Sequence, residues 1–248
     1  MSVLYVFAAS GMEAQPVRRI CTVSNSNSGL SCGTNNVALI TGAMGPKNAR
    51  SKAEAALNGR PGGQLHSRSD AVISIGLCGG LDSSLPHQRI VAYTECMSTD
   101  GGRTLPCSPA ITDWAISVLA AANVRCDRVV GITSTRIATT PARKAALGDR
   151  GATVVDMESY SILEVAARAG IPAAVIRVVS DPHDWELPDF NRALSEDGGL
   201  DGWKALRVAL GSPLRTLKLL GANKRAMQSL GPALEIVLKA DTFAVATS

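Results

Sequence analysis

Residues 152–181, "ATVVDMESYSILEVAARAGIPAAVIRVVSD", constrain the fold more than any other stretch of the chain. "ATVVDM" (152–157) is a short, nearly continuous apolar run, the pattern of a strand covered on both faces. "ESYSILEVAARAG" then sets Ile162, Leu163, Ala166 and Ala167 on one side of a helix predicted over Glu158–Ala169. Gly170 suits a left-handed C-terminal cap, and Pro172 prevents continuation. "AAVIRVVS" (173–180) returns as a buried strand. Strand, helix and strand in this order predict a βαβ unit.

The same signature repeats along the chain. Apolar runs bounded by Gly, Pro or Asn occur at 3–9, 36–42, 70–76, 88–94 and 128–134, and helical stretches at Lys47–Leu57 and Pro109–Ala122. Alternating strands and helices predict an α/β fold. We expect a single domain over 1–248 with a mostly parallel, twisted central sheet flanked by helices. From Pro188 onward no strand is expected. Residues 201–239 read as helices punctuated by Gly211, Pro213, Gly221, Gly231 and Pro232, a helical C-terminal region over about 188–248.

Aromatic residues make up only 4% of the 248, so Ala, Val, Ile and Leu must build the core. The net charge is +4, and no block of five like charges occurs. Scattered Lys and Arg do not make the clustered basic stripe that nucleic acid requires, so no nucleic-acid partner is expected. Cys21, Cys32, Cys78, Cys96, Cys107 and Cys126 form no C-x-x-C pair and no zinc spacing, which leaves no metal or bound cofactor to expect. Core packing is the reading for all of them except Cys78. The apolar start "SVLYVFAAS" lacks a basic leader, and no run reaches eighteen apolar residues. The expectation is a soluble cytoplasmic protein with reduced thiols.

Two carboxylates stand out. In α/β sheets, ligands bind beyond the carboxyl ends of the strands, and Glu158 and Asp181 both fall at such ends. Either they face a ligand together, or Glu158 only favours a helix start and Asp181 only begins a turn before Pro182. "GLCGG" (76–80) reads as a glycine-rich turn whose backbone can approach a ligand closely. His66, His87 and His183 share no motif spacing; His183 follows Asp181 closely, but a solvated loop histidine is the preferred reading.

At these residues the sequence resembles the nucleoside phosphorylase family, in particular its nucleosidase branch. "VVDMESYSILEVAARAGIPAAVIRVVSD" (154–181) and "SIGLCGGL" (74–81) carry the resemblance. "GMEAQPVRR" (11–19), "ITGAMGPKNA" (40–49) and "GITSTRIATTPARKAAL" (131–147) match more weakly. The resemblance implies cleavage of an N-glycosidic bond through an oxocarbenium-like sugar. It makes Asp181 the general acid toward the purine and Glu13 the base that activates water. Met157 would pack on the sugar, Glu158 would bind its hydroxyls, and Ser180 would orient the Asp181 carboxyl. Gly76, Leu77, Cys78 and Gly79 would line the base and sugar, with no nucleophilic role for Cys78. Arg177, inside its strand, is read as structural.

The family divides between water and phosphate as the attacking group. An arginine typical of the phosphorylases is Ser74 here, and a serine commonly following the glycine is Leu77. Glu13 beside a phosphate would repel it. Hydrolysis is therefore favoured, while Arg18, Arg19 and Arg136 keep phosphate open as a co-substrate. The tail resembles the hopanoid-associated phosphorylases, which implies adenosylhopane as substrate, adenine as product and contact with a membrane surface. Alternatively the tail is an ordinary amphipathic cap. A methylthioadenosine or adenosylhomocysteine nucleosidase, a purine nucleoside phosphorylase and a catalytically silent nucleoside-binding protein are the competing functions. A small adenosine-type nucleoside, lipid-linked in the first reading, is the expected partner, together with a second copy of the chain in a homo-oligomer, a dimer in preference.

Overall fold

The computed structural model describes residues 3–23, 30–58, 70–195, 199 and 201–240. His66 and Leu200 lie outside the described residues. The elements are β1 (Val3–Ala8), α1 (Gly11–Ile20), β2 (Thr22–Val23), β3 (Leu30–Cys32), β4 (Asn35–Thr41), α2 (Pro46–Asn58), β5 (Ala71–Gly80), β6 (Ile90–Ser98) and β7 (Leu105–Pro106). They continue with α3 (Pro109–Ala121), β8 (Cys126–Thr133), α4 (Pro141–Gly148), β9 (Val154–Asp156), α5 (Ser159–Arg168) and β10 (Ala173–Asp181). A 3-10 turn (Phe190–Ala193), α6 (Gly202–Gly211) and α7 (Pro213–Lys239) complete the chain.

The fold is α/β with a mixed sheet. Strands β4, β1, β5 and β10 lie side by side and parallel. β10 also pairs antiparallel with β6, β6 runs parallel to β8, and β8 parallel to β9. β9 returns antiparallel to β5, so these five strands close a ring. Periodicity shows that a strand is covered on both faces; it carries no information about which neighbour it meets or in which direction. Closure therefore could not be read from the sequence. It matters because it bends the carboxyl ends of β5 and β10 and the β9–α5 turn around one small space.

Alternate side chains of the same strands enter two cores. Leu4, Val6, Ile73, Ile75, Ala174 and Ile176 pack with α1, α3 and α7. Tyr5, Phe7, Val72, Val91, Tyr93 and Val175 pack on the other face with α2 and α5. Every residue of β10 is buried, which explains its continuous apolar reading. In α5, Ile162, Leu163 and Ala166 are buried as the periodicity predicts, but Ala167 is exposed and Val165 is buried instead, and Gly170 adopts φ +67° just beyond the helix.

Helix α1 escapes the periodicity, since its apolar pattern is short and Pro16 interrupts it. Its signal is the Ser10-x-x-Glu13 capping box, with both reciprocal hydrogen bonds formed. The tail breaks only at Gly211–Ser212–Pro213, where Pro213 occupies the first turn of α7. Gly221, Gly231 and Pro232 stay inside that helix. Leu230, Ala233, Leu234, Val237 and Leu238 are all buried around Pro232. Burying large aliphatics at about 1.5–3 kcal/mol each offsets a proline cost of about 3 kcal/mol. Among the described residues, no helix is long and apolar enough to cross a membrane.

Candidate active site

Two polar groupings meet at the carboxyl ends of β5 and β10. The first surrounds Arg177, whose guanidinium is buried inside the sheet. Its Nη2 donates to Ser74 Oγ at 3.1 Å and Ser159 Oγ at 2.9 Å, and its Nη1 to the Ile75 carbonyl at 3.3 Å. Asp156 Oδ2 stands 3.5 Å from Nε, and Glu158 Oε2 3.7 Å from Nη2. Burial disfavours the cation, but Asp156 and Glu158 outweigh it and hold Arg177 firmly protonated. An isolated charge within an apolar strand would be very costly, so these partners are what permit Arg177 there.

Asp156 also fixes the turn that leads into α5. It accepts from Tyr93 Oη at 3.0 Å, from Thr133 Oγ1 at 2.7 Å, and from the backbone N–H groups of Glu158 and Ser159, each at 3.1 Å. That turn sets Glu158 at the N-cap of α5, where its Oε1 accepts from Gly45 N at 3.0 Å. Burial pushes the Glu158 carboxyl up to about 7. Arg177 opposes the rise, while Asp156 and Glu13 add to it.

Glu13 enters from the first turn of α1. Its Oε2 accepts from Ser10 N at 2.9 Å and Ser10 Oγ at 3.0 Å, and its Oε1 accepts from Leu77 N at 2.8 Å. Gly76 separates this carboxylate from Arg177 and adopts φ +147°. A side chain at Gly76 would collide with both the Glu13 carboxylate and the Arg177 guanidinium. Glycine is needed here for its space as well as its conformation.

The second grouping is a buried pair. Asp181, the last residue of β10, accepts at Oδ2 from Lys144 Nζ at 2.6 Å. Lys144 also donates to the Pro182 carbonyl at 2.5 Å. It is carried by α4, which starts at Thr140, whose hydroxyl caps Arg143 N, with Pro141 following. Ser180 Oγ lies 2.6 Å from Asp181 Oδ1 and 3.1 Å from the Cys78 carbonyl. With its single proton turned to that carbonyl, Ser180 can accept from a protonated Asp181. Burial raises the Asp181 carboxyl above the usual range, and Lys144 and Ser180 moderate the rise.

A cavity of about 70 Å³ joins the two groupings, lined by Gly79, Arg136, Asp156, Met157, Asp181 and Leu187 among others. A larger groove of about 540 Å³ between α2 and α5 reaches the same region at Thr133.

The structure thus gathers Glu13, Gly76, Leu77, Gly79, Met157, Glu158, Ser180 and Asp181. Two expectations change. "GLCGG" is not a turn: Leu77 to Gly80 continue β5, and Gly79 pairs with both Val155 and Asp181 beside a bulge in β10. A Cβ at Gly79 would stand only 3.1 Å from Asp181 Oδ2, so the glycine makes room for that carboxyl within a strand. Cys78 does not line the cavity; its side chain is buried in the core with Tyr93 and Val179, and burial pushes its thiol up.

The anion-ligand candidates separate. Arg18 and Arg19 are exposed in the last turn of α1, away from Glu13 in its first turn, whereas Arg136 lines the cavity. Lys144 was not singled out in the sequence; its local signal is only a capped helix start.

The chain's fold matches solved structures over nearly its whole length. Futalosine hydrolase of Helicobacter pylori superposes with a TM-score of 0.69 at 12% identity, covering 95% of this chain and 97% of that one. The methylthioadenosine/adenosylhomocysteine nucleosidase of Neisseria meningitidis, in complex with methylthio-immucillin-A, gives 0.70 at 14%, covering 96% and 99%. The adenosylhomocysteine nucleosidase of Streptococcus pyogenes, with 5-methylthiotubericidin, gives 0.69 at 14%, covering 96% of each. No curated protein matches the sequence. The family model described as the phosphorylase superfamily matches residues 28–197, the span that holds β5, β9, β10 and most of the site, and the chain belongs to that superfamily.

Proposed function

We propose that this chain hydrolyses the N-glycosidic bond of an adenosine-type nucleoside and releases adenine. The observation that carries the reading is the convergence of Glu13, Glu158 and Asp181 at one end of the sheet, with Met157 and Asp181 facing one cavity. Asp181 gives its proton to the purine ring as the bond to C1′ breaks. The carboxylate that develops is held by Lys144, which already donates to it, and Ser180 can turn its proton from the Cys78 carbonyl to Asp181 as the charge forms. Water attacks C1′ and yields a proton to Glu13, whose oxygens are fixed by Ser10 and Leu77. The sum is nucleoside and water in, adenine and the free sugar out. Glu158 accepts from the ribose hydroxyls, and Met157 packs against the ring.

Hydrolysis is preferred because the buried Arg177 is already committed to Asp156, Glu158 and Ser74. A phosphate dianion would have to compete with two carboxylates for it. Arg136 is the cation left at the cavity, and phosphorolysis through it is the competing outcome. For the substrate we favour an adenosine with a large apolar 5′ group, of which adenosylhopane is the example implied by the tail. The exposed leucines of α6 and α7 support this over methylthioadenosine.

The test incubates purified protein with adenosine, methylthioadenosine, adenosylhomocysteine and a 5′-alkyl adenosine, with and without phosphate, and identifies the sugar product. Adenine and free sugar, formed without phosphate and fastest from the alkyl substrate, are expected. A ribose 1-phosphate product would replace hydrolysis by phosphorolysis. Binding without adenine release would make the chain a silent nucleoside binder.

A further inference from the structure

Six of the seven large hydrophobic side chains exposed among the described residues sit on α6 and the first turns of α7. They are Trp203, Leu206, Leu210, Leu214, Leu217 and Leu220, with Trp203 79% and Leu214 82% exposed. Their spacing is that of a face. Trp203, Leu206 and Leu210 follow the i, i+3, i+7 rule on α6, and Leu214, Leu217 and Leu220 recur every third residue on α7. No residue of α6 is buried, and among the described residues nothing covers Trp203, Leu206 or Leu210. The C-terminal part of α7 is different: Ala226, Leu230, Leu234 and Val237 are buried against the sheet. An exposed concentration of large apolar side chains on two consecutive helices of a folded protein marks something it touches.

The charges name the partner. From Gly202 to Leu234 the chain carries Lys204, Arg207, Arg215, Lys218, Lys224 and Arg225 and no acidic residue. Trp and Leu on one side, with Lys and Arg as the helices' own charges, is the composition of helices that lie in an anionic bilayer surface, although Glu186 and Asp189 of the neighbouring loop offset part of that charge. A second copy of the chain fits poorly, because a two-fold face would set Lys204, Arg207 and Lys218 against their own equivalents, while the helices carry no acid of their own between Gly202 and Leu234 and Glu186 is already engaged by Arg215.

We propose that α6 and the N-terminal half of α7 dock on an anionic lipid bilayer. The surface adjoins the candidate site. Arg215 pairs with Glu186 at 2.9 Å, and Lys218 Nζ stands 3.8 Å over the Trp185 ring. Both partners belong to the loop that follows Asp181, and Leu187 of that loop lines the cavity. Docking therefore brings the cavity to the lipid interface, where the polar end of an amphiphilic nucleoside resides. The docking itself does not rest on the reaction proposed above, since it is measured without any nucleoside.

The experiment sediments the full chain with vesicles of phosphatidylcholine containing roughly a third phosphatidylglycerol, and with phosphatidylcholine alone. Protein should pellet with the anionic vesicles, stay free of the neutral ones, and be released by salt. Trp203 emission should shift to the blue on binding, and Trp203→Phe should remove the shift. Leu210→Glu with Leu214→Glu should lower the bound fraction at least tenfold, at an unchanged melting temperature. Lys204→Glu with Arg207→Glu should do the same, each basic residue carrying about fivefold in partitioning. No pelleting of the wild type with anionic vesicles overturns the proposal, as does equal binding to neutral vesicles. It is also overturned if the wild type sediments as a dimer that the double leucine variant dissolves, with no vesicle binding by either.

Discussion

Lys144 Nζ donates to Asp181 Oδ2 at 2.6 Å, and the Lys144 side chain is only 1% exposed. The two residues come from different elements, α4 and the end of β10, and meet beside the cavity that Asp181 lines. Burial favours a protonated Asp181, and Lys144 favours the carboxylate. If Asp181 is the acid, Lys144 sets how readily it yields its proton. Lys144→Met removes the opposing influence, so the Asp181 carboxyl rises further. On that reading activity requires Asp181 protonated and should be lost as pH rises through that value. We therefore expect the alkaline limb of kcat/KM to move to higher pH. We also expect kcat to fall about tenfold or more, since the developing carboxylate loses a charge-assisted hydrogen bond. A pH–rate profile checks both, and an unmoved alkaline limb would remove Lys144 from the reaction.

Asp181→Asn keeps the size of the side chain and deletes the transferable proton. Adenine release should drop by about 10²–10⁴-fold, with nucleoside affinity largely retained. The substitution leaves Lys144 without its counter-charge, so the double variant Asp181→Asn, Lys144→Met serves as the folding control. Rapid turnover of a purine nucleoside by folded Asp181→Asn protein would show that another group supplies the proton.

Glu13→Gln separates the two tasks of that residue. Glutamine at the third helical position still completes a capping box with Ser10, so α1 should form as before, while the amide NH2 cannot accept from Leu77 N and the melting temperature should fall by the loss of that one hydrogen bond, about 1–3 kcal/mol. An amide cannot take a proton from water, and hydrolysis should fall by about 10²–10⁴-fold. Circular dichroism and an adenine-release assay check the pair of outcomes. Full activity in this variant would assign Glu13 to the cap alone.

The parts of this site that the sequence disclosed share one property: their signal is local. Asp181 and Glu158 were found because carboxylates closing apolar strands are conspicuous and strand ends are where ligands sit. Arg177 is read as structural because it lies inside the strand rather than at its end. Its partners come from two other stretches, Ser74 in β5 and Asp156, Glu158 and Ser159 around the β9–α5 turn, and nothing in the sequence ties the first to the second. Lys144 lies 37 residues from Asp181 on an unremarkable short helix, so no spacing rule could pair them. The glycines illustrate the limit best. A G-L-C-G-G run reads as a turn from composition, but the closed sheet keeps it extended, and Gly76 and Gly79 exist to admit the carboxyls of Glu13 and Asp181.

The raised Glu158 carboxyl gives a stability prediction independent of catalysis. Its ordinary value is 4.5, and burial moves it to about 7 in the folded protein. Between these values the native state binds more protons than the unfolded chain, so stability falls as pH rises across that window. Each unit corresponds to about 1.4 kcal/mol, which makes the loss between pH 5 and pH 8 on the order of 3 kcal/mol, before the neighbouring carboxylates readjust. Glu158→Gln has the shape of the protonated form and no charge to bury. Its urea midpoint should change much less between pH 5 and pH 8 than the wild type's, and at pH 8 the variant should be the more stable of the two. A ligand that donates two ribose hydroxyls to Glu158 favours its anion, so nucleoside binding should release a proton near pH 7. Calorimetry in buffers of different ionisation enthalpy measures that release, and its absence together with parallel urea curves would mean that Glu158 is ionised throughout.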